Sequence, residues 1–218
     1  MTNSLEIPWD WYIVRSTALI GFLLLYASVL SGTISCLPGI RRYFLRLRSL
    51  NFHCWISLQA LIFAALHAIA LLFHHYIKFS LADIFIPFHS AFEPILVGLG
   101  TIAFYLMVIL VVTSYARKHM SAGLWRTIHF LNIGLYISSI IHALYLGTDL
   151  KSGVLRDVFI WANGILVLLL FFNMFHRIWA KIRNRPITCE TSSNNENLRP
   201  SDAPGGEKRG YPDIRRRI

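Results

Sequence analysis

Five stretches of this chain, 16–40, 49–77, 94–116, 127–148 and 158–176, contain no Asp, Glu, Lys or Arg. Each is near the length of about 20 residues that a helix rising 1.5 Å per residue needs to cross a hydrocarbon core. Backbone in lipid must satisfy its own hydrogen bonds, which leaves helices or a closed barrel. Runs this long without period-two alternation read as helices. The expected fold class is all-α integral membrane, a bundle of five transmembrane helices. An apolar fraction of 55% and a mean hydropathy of +0.52 agree with that and disfavour a soluble domain. The opening MTNSLEIPWDWYIVRS lacks the basic start and the small-residue cleavage site of a signal peptide, so the first run is expected to stay in the mature protein.

Positive charge then sets the orientation. Arg41, Arg42, Arg46 and Arg48 lie between the first two runs, Arg117, Lys118 and Arg126 between the third and fourth, and Arg177, Lys181, Arg183 and Arg185 after the fifth. The positive-inside rule places these on the cytoplasmic side of a plasma (inner) membrane, with the N-terminus outside and the C-terminus cytoplasmic. The net charge of +10 is then mostly topology, aided by anionic membrane lipid. It calls for no nucleic acid. One membrane domain is expected over 1–185, followed by a cytoplasmic tail over 186–218 whose Ser, Asn, Pro and Gly content is that of a disordered segment. Cys36, Cys54 and Cys189 form neither a disulfide framework nor a C-x-x-C motif.

Histidines mark two of the runs. His53 and His67 lie fourteen residues apart in the second, and His129 and His142 thirteen apart in the fourth. Both spacings span roughly 20 Å on a helix. The second and fourth helices are separated by one returning helix and therefore run parallel, so His53 matches His129 at one depth and His67 matches His142 at the other. An isolated histidine in an apolar helix is commonly a hydrogen-bonded core residue. Ionisable side chains inside a bilayer are costly and mark functional sites, and imidazole is a standard axial ligand of haem iron. Two matched pairs therefore point to two metal centres stacked across the membrane. One geometric conflict stands: on an ideal helix fourteen residues return to nearly the same face, but thirteen turn through about 220°. Either the fourth helix is irregular, or its histidines reach centres at different azimuths.

The segments NFHCWISLQALIFAALHAIALL, the IPF of the outer loop and LWRTIHFLNIGLYISSIIHALYLGTD together resemble the ferric-reductase-like transmembrane domain, the haem-binding membrane half of ferric reductases and NADPH oxidases. The group also includes the haem-bearing subunit of a periplasmic methionine sulfoxide reductase system. The resemblance covers about residues 11–181 and implies two b-type haems: an inner one ligated by His53 and His129, and an outer one ligated by His67 and His142. It implies that electrons enter from the cytoplasm and leave outside, toward a ferric ion, oxygen or a partner protein. Arg15 resembles the basic residue kept near the outer haem, where it would pair with a propionate; as an interfacial anchor beside Trp9 and Trp11 it needs no haem. Where the family's oxidases place a further histidine after the outer ligand, this sequence has Leu71. The family's cytoplasmic flavin and nucleotide domains have no counterpart in the 33 residues after Arg185, which hold no G-x-G-x-x-G. The expected donor is a separate flavoprotein reductase or a membrane quinol.

Other polar residues carry weaker signals. His74, His75 and His89 on the outer side could meet an incoming ferric ion or simply be solvated. Asn132, Asn163 and Asn173 suit hydrogen bonds between helices. The loop over 78–93 is expected to lie at the interface or to cover the outer site, and Pro87 and Pro94 argue against one continuous helix there. No catalytic triad, paired carboxylate or P-loop is present, so no catalytic residue is assigned and hydrolytic and phosphoryl chemistry are disfavoured. Two functional classes remain: an electron-transfer subunit, and a membrane scaffold whose histidines serve polar contacts.

Overall fold

A computed structural model describes residues 9–34, 50–74 and 78–183. The arginines at 41–48, His75, and the tail at 186–218 lie outside the described residues. The helices are α1 (Trp9–Ile34), α2 (Leu50–Leu72), a short α3 (Leu81–Phe85), α4 (Pro94–Tyr115), α5 (Ala122–His129), α6 (Leu131–Leu146) and α7 (Val154–Ile182), with 3-10 turns at Ala116–His119 and Thr148–Leu150. Among the described residues there is no strand. Five spans are long and apolar enough to cross a membrane, with α5 and α6 together forming the fourth. The protein is a multi-pass, all-α membrane protein.

The spans depart from the charge-free runs in an instructive way. The first helix begins at Trp9 and includes Asp10 and Arg15, and the last begins at Val154 and includes Arg156 and Asp157. Charged residues are admitted because they find partners: Arg15 pairs with Asp149, and Arg156 donates to the carbonyls of Leu150 and Lys151 at 3.1 Å. The third span, Pro94–Tyr115, starts with proline at its first turn, where the missing N–H costs nothing.

The bundle is turned inside out relative to a soluble protein. Leu23, Ile69, Val112 and Leu168 are all more than half exposed, as lipid-facing residues should be. A single core of Leu25, Val29, Ala60, Met107, Leu135 and Tyr136 lies between the helices. One buried polar pair joins two helices: Tyr136, fully buried, donates from its hydroxyl to Asn163 Oδ1 at 2.5 Å, and Asn163 Nδ2 donates to the Phe159 carbonyl at 2.7 Å. This links α6 to α7, the interhelical role that Asn163 was expected to have. α1 packs chiefly on α2, and α4 on α6.

The connection between α2 and α4 folds back over the bundle. A capping box starts α3, with Ser80 Oγ accepting from the Asp83 N–H at 3.2 Å and the Asp83 carboxylate accepting from the Ser80 N–H at 2.8 Å. Thr101 and Tyr105 of α4 donate to the carbonyls of Ile84 (3.0 Å) and Phe85 (2.6 Å), pinning α3 to the bundle. Phe88, at φ +66°, turns its ring onto Gly98, where a Cβ would lie 2.5 Å from the ring. The hydrogen bonds from Ser80, then that from His89 Nδ1 at 3.0 Å, hold the Asp83 carboxyl down at about 2. A depressed carboxyl stabilises the fold above its unfolded value of about 3.9 and loses that contribution as pH falls toward the folded value. Protection of the Ile86 amide, bonded to the Ala82 carbonyl, should therefore weaken from about pH 4 down to about pH 2, after correction for intrinsic exchange. Hydrogen exchange on Asp83→Asn should show no such step.

Candidate metal-ligating histidine pairs

The structure brings His53 and His129 together. Their rings lie 6.2 Å apart between centroids, at 66°. Two imidazoles that bind one ion from opposite sides, at about 2 Å each, hold their centroids about 6 Å apart. His53 is held from α1: its Nδ1 lies 3.0 Å from the Ser28 carbonyl and 3.2 Å from Ser31 Oγ. A carbonyl only accepts, so Nδ1 carries the hydrogen and Nε2 keeps its lone pair. Ser57, one turn after His53, lies 2.6 Å from Ser28, Oγ to Oγ, and donates to the His53 carbonyl at 2.7 Å.

His129 closes α5 and is set by a stack. Trp125, one turn earlier, lies flat against it with centroids 4.8 Å apart at 22°, and the Arg117 guanidinium covers the Trp125 ring at 4.8 Å. The stack follows from the spacing of Trp125 and His129, since residues four apart share a helix face. Trp125 Nε1 is buried with no hydrogen-bond partner among the described residues, an unspent donor beside this pair. The cleft here is small, about 40 Å³, and rimmed by Ser28, Ser57, Ser114 and Asn132.

His67 and His142 share the other end of the bundle, where both line a cavity of about 1330 Å³. That exceeds the roughly 300–1,000 Å³ of pockets enclosing a small ligand. His67 Nδ1 donates to the Val14 carbonyl of α1 at 3.0 Å, and His142 Nδ1 to the Leu96 carbonyl of α4 at 2.8 Å. Both rings therefore have their Nε2 lone pairs available. Gly100 makes room for His142, since a Cβ there would sit 2.5 Å from Cε1 and 2.6 Å from Nδ1. Phe79, Ile84 and Phe92 of the connection between α2 and α4 line the cavity too, along with His74. The connection thus covers the site, the second of the two placements open to it from sequence.

The fourth span, which carries the thirteen-residue spacing, is irregular between its two histidines. The Phe130 N–H is shared between the carbonyls of Arg126 and Thr127, both at 3.2 Å, and Ile133 bonds back to Phe130 at 3.2 Å. α5 and α6 therefore meet at a one-residue irregularity at Phe130, whose dihedrals stay in the right-handed helical region.

Arg15 reaches the same cavity but is engaged within the protein. Its guanidinium pairs with the Asp149 carboxylate and lies over Trp11 at 4.3 Å. His89, instead of standing free, bonds Asp83. The hydroxyls about His53 and the ring beside His129 escaped sequence reading, although Ser within an apolar helix is itself a signal for interhelical contact.

The family model of the ferric reductase like transmembrane component matches residues 14–140. The chain belongs to that family. The match includes Arg15, His53, His67 and His129 and stops two residues before His142, which the structure nevertheless puts in the cavity of His67. No curated protein and no solved structure is similar enough to match. The family is generally haem-binding and points to membrane electron transfer.

Because Gly100 abuts His142, Gly100→Ala should destabilise the protein by about 1–3 kcal/mol, the usual range for overpacking. Gly164, within α7 and with nothing within 4 Å of its Cβ position, is the control for helix propensity alone, and Gly164→Ala should stabilise by up to about 1 kcal/mol. Unfolding of both variants in the same detergent compares them directly.

Proposed function

We propose that this chain is a transmembrane electron-transfer subunit, part of an oxidoreductase, carrying two b-type haems. His53 and His129 ligate the inner one and His67 and His142 the outer one, between a cytoplasmic flavoprotein or membrane quinol donor and an external ferric ion or protein acceptor. The observation that carries the reading is the placement of four histidines in a chain of a haem-binding family. One pair stands at the ring separation of bis-histidine ligation, and the other faces a single large cavity. Haem iron, when bound, supplies the one-electron chemistry.

The chain's own residues hold, orient and insulate. Ser28, Val14 and Leu96 fix three imidazoles through Nδ1, the outer contact that sets tautomer and ring direction in a ligating histidine. Among the described residues no group of three or more His, Cys, Asp or Glu could hold an ion. Each pair therefore needs further donors, which a porphyrin has. Trp125 Nε1 offers a buried donor to a carboxylate at the inner site. Leu25 and Met107 line both the narrow cleft and the large cavity, so one apolar layer separates the centres. The domain over 1–185, the orientation with the N-terminus outside and the plasma membrane location belong to this proposal and rest on the distribution of Lys and Arg.

His53→Ala and His129→Ala should each remove the same spectral component, and His67→Ala and His142→Ala the other, in reduced-minus-oxidised spectra of protein expressed with ample haem. Loss of one component by both His53→Ala and His67→Ala would overturn the cross-helix pairing. Absence of any b-type bands in the unmodified protein would leave the scaffold reading instead.

The donor is tested separately. The purified chain with oxidised haem should not be reduced by NADH or NADPH alone, and should be reduced once a flavin reductase or a quinol is added. Stopped-flow spectra would show it, and rapid reduction by NADPH with no other component would defeat the assignment of a separate donor.

A further inference from the structure

The geometry points to Asp149 as a positioning residue for the outer site: paired with Arg15, it clasps the start of α1, which anchors His67, to the turn after α6, the helix that carries His142. The inference rests on the proposed ligation by His67 and His142.

The resemblance to haem-binding relatives implies that Arg15 serves a propionate. In the structure the Nε–Nη2 edge of its guanidinium is already used: Nε donates to Asp149 Oδ2 and Nη2 to Oδ1, a bidentate arrangement that fixes direction as well as charge. Trp11 covers one face of the guanidinium. The Asp149 side chain is 14% exposed, and a largely shielded carboxylate is costly without its partner. Both residues line the cavity.

What the pair joins gives it a role beyond neutralisation. Asp149 sits in the 3-10 turn Thr148–Leu150. That turn is tied back to α6 by the Gly147 N–H on the Ala143 carbonyl at 2.8 Å, and to α7 by Arg156 on Leu150 and Lys151. Ala143 is the residue after His142. On the other side, Arg15 follows Val14, whose carbonyl takes the Nδ1 hydrogen of His67. A continuous path of bonds therefore runs from the neighbour of one histidine to the anchor of the other, through a single ion pair. α1 rests mainly on α2 and touches α6 and α7 only sparsely, so few other contacts set the width of the cavity at this end.

The test uses the full chain in lipid nanodiscs, with haem retention and redox titration resolved into the two components. Arg15→Gln and Asp149→Asn should each weaken retention of the outer haem about ten-fold, the lower range for loss of an outer partner of a ligating histidine, and spare the inner component. The midpoint of the outer component should rise in Asp149→Asn, which leaves a cation beside it, and fall in Arg15→Gln, which leaves an anion. The double neutral variant should be no worse than either single one, and the exchanged pair, Arg15→Asp with Asp149→Arg, should recover retention. An effect of Arg15→Gln with none from Asp149→Asn would assign Arg15 to a haem carboxylate and overturn the clasp. Equal loss of both components in Asp149→Asn, with no recovery in the exchanged pair, would reduce it to a general contact of the fold. His67→Ala must remove the same outer component; if it does not, the ligand assignment falls, and the role of the clasp with it.

Discussion

A histidine that donates its Nδ1 hydrogen to a carbonyl on a neighbouring helix does two things in a lipid-sheathed bundle. It satisfies a polar group that the bilayer cannot solvate, and it leaves Nε2 as the basic nitrogen, aimed away from the anchor. His53, His67 and His142 all do this, on α1, α1 and α4 respectively. Much of the packing follows from it. α1 must lie against α2 closely enough for the Ser28 and Val14 carbonyls to meet rings fourteen residues apart, and α4 must approach α6 at Gly100, where a side chain would strike His142. The two closest helix pairings in the bundle are the two that these bonds require.

The two ends are then furnished differently. Around His53 the helices close on a cleft of about 40 Å³ edged by hydroxyls and an amide, whereas around His67 they stand apart over about 1330 Å³ of mostly apolar wall. Burial and hydrogen bonding are the terms by which a protein sets the potential of a haem, so under the proposed ligation the two sites differ in environment. The hydroxyl-rich end also carries Trp125 with its unspent N–H. The opposite end carries an ion pair and a lid fixed by Thr101 and Tyr105.

Much of this architecture was legible in the sequence, because the bilayer reduces folding to a few questions. Length and apolarity identified five spans, and the third was placed to within one residue, since Pro94 marks its start and a polar turn its end. Charge misled at the ends of α1 and α7. A rule that stops a span at Arg15 or Asp157 assumes that a charge faces lipid or water alone, yet Arg15 and the neighbouring Arg156 find partners inside the protein. The depth match of the histidines was readable from spacing. Their anchors were not, since a backbone carbonyl as acceptor leaves no mark on the sequence. Gly100 was silent for a similar reason: a glycine in an apolar helix is common in membranes, and only the neighbouring helix shows which one is needed.

The irregularity at Phe130 separates two sets of contacts. Nothing in the stretch TIHFLNIG is a strong helix breaker, and no proline or paired glycine accounts for an interruption there. Upstream, His129 must stack on Trp125 and face His53, while downstream His142 must reach the Leu96 carbonyl and the cavity it shares with His67. A regular helix would turn the second ring about 220° from the first, and the two rings do meet different helices, α2 through His53 and α4 through Leu96. Sharing one N–H between two carbonyls at 3.2 Å weakens the ladder at a single residue. That local loss is small beside leaving an imidazole in the bilayer without its hydrogen bond, and beyond it His142 keeps its bond to the Leu96 carbonyl.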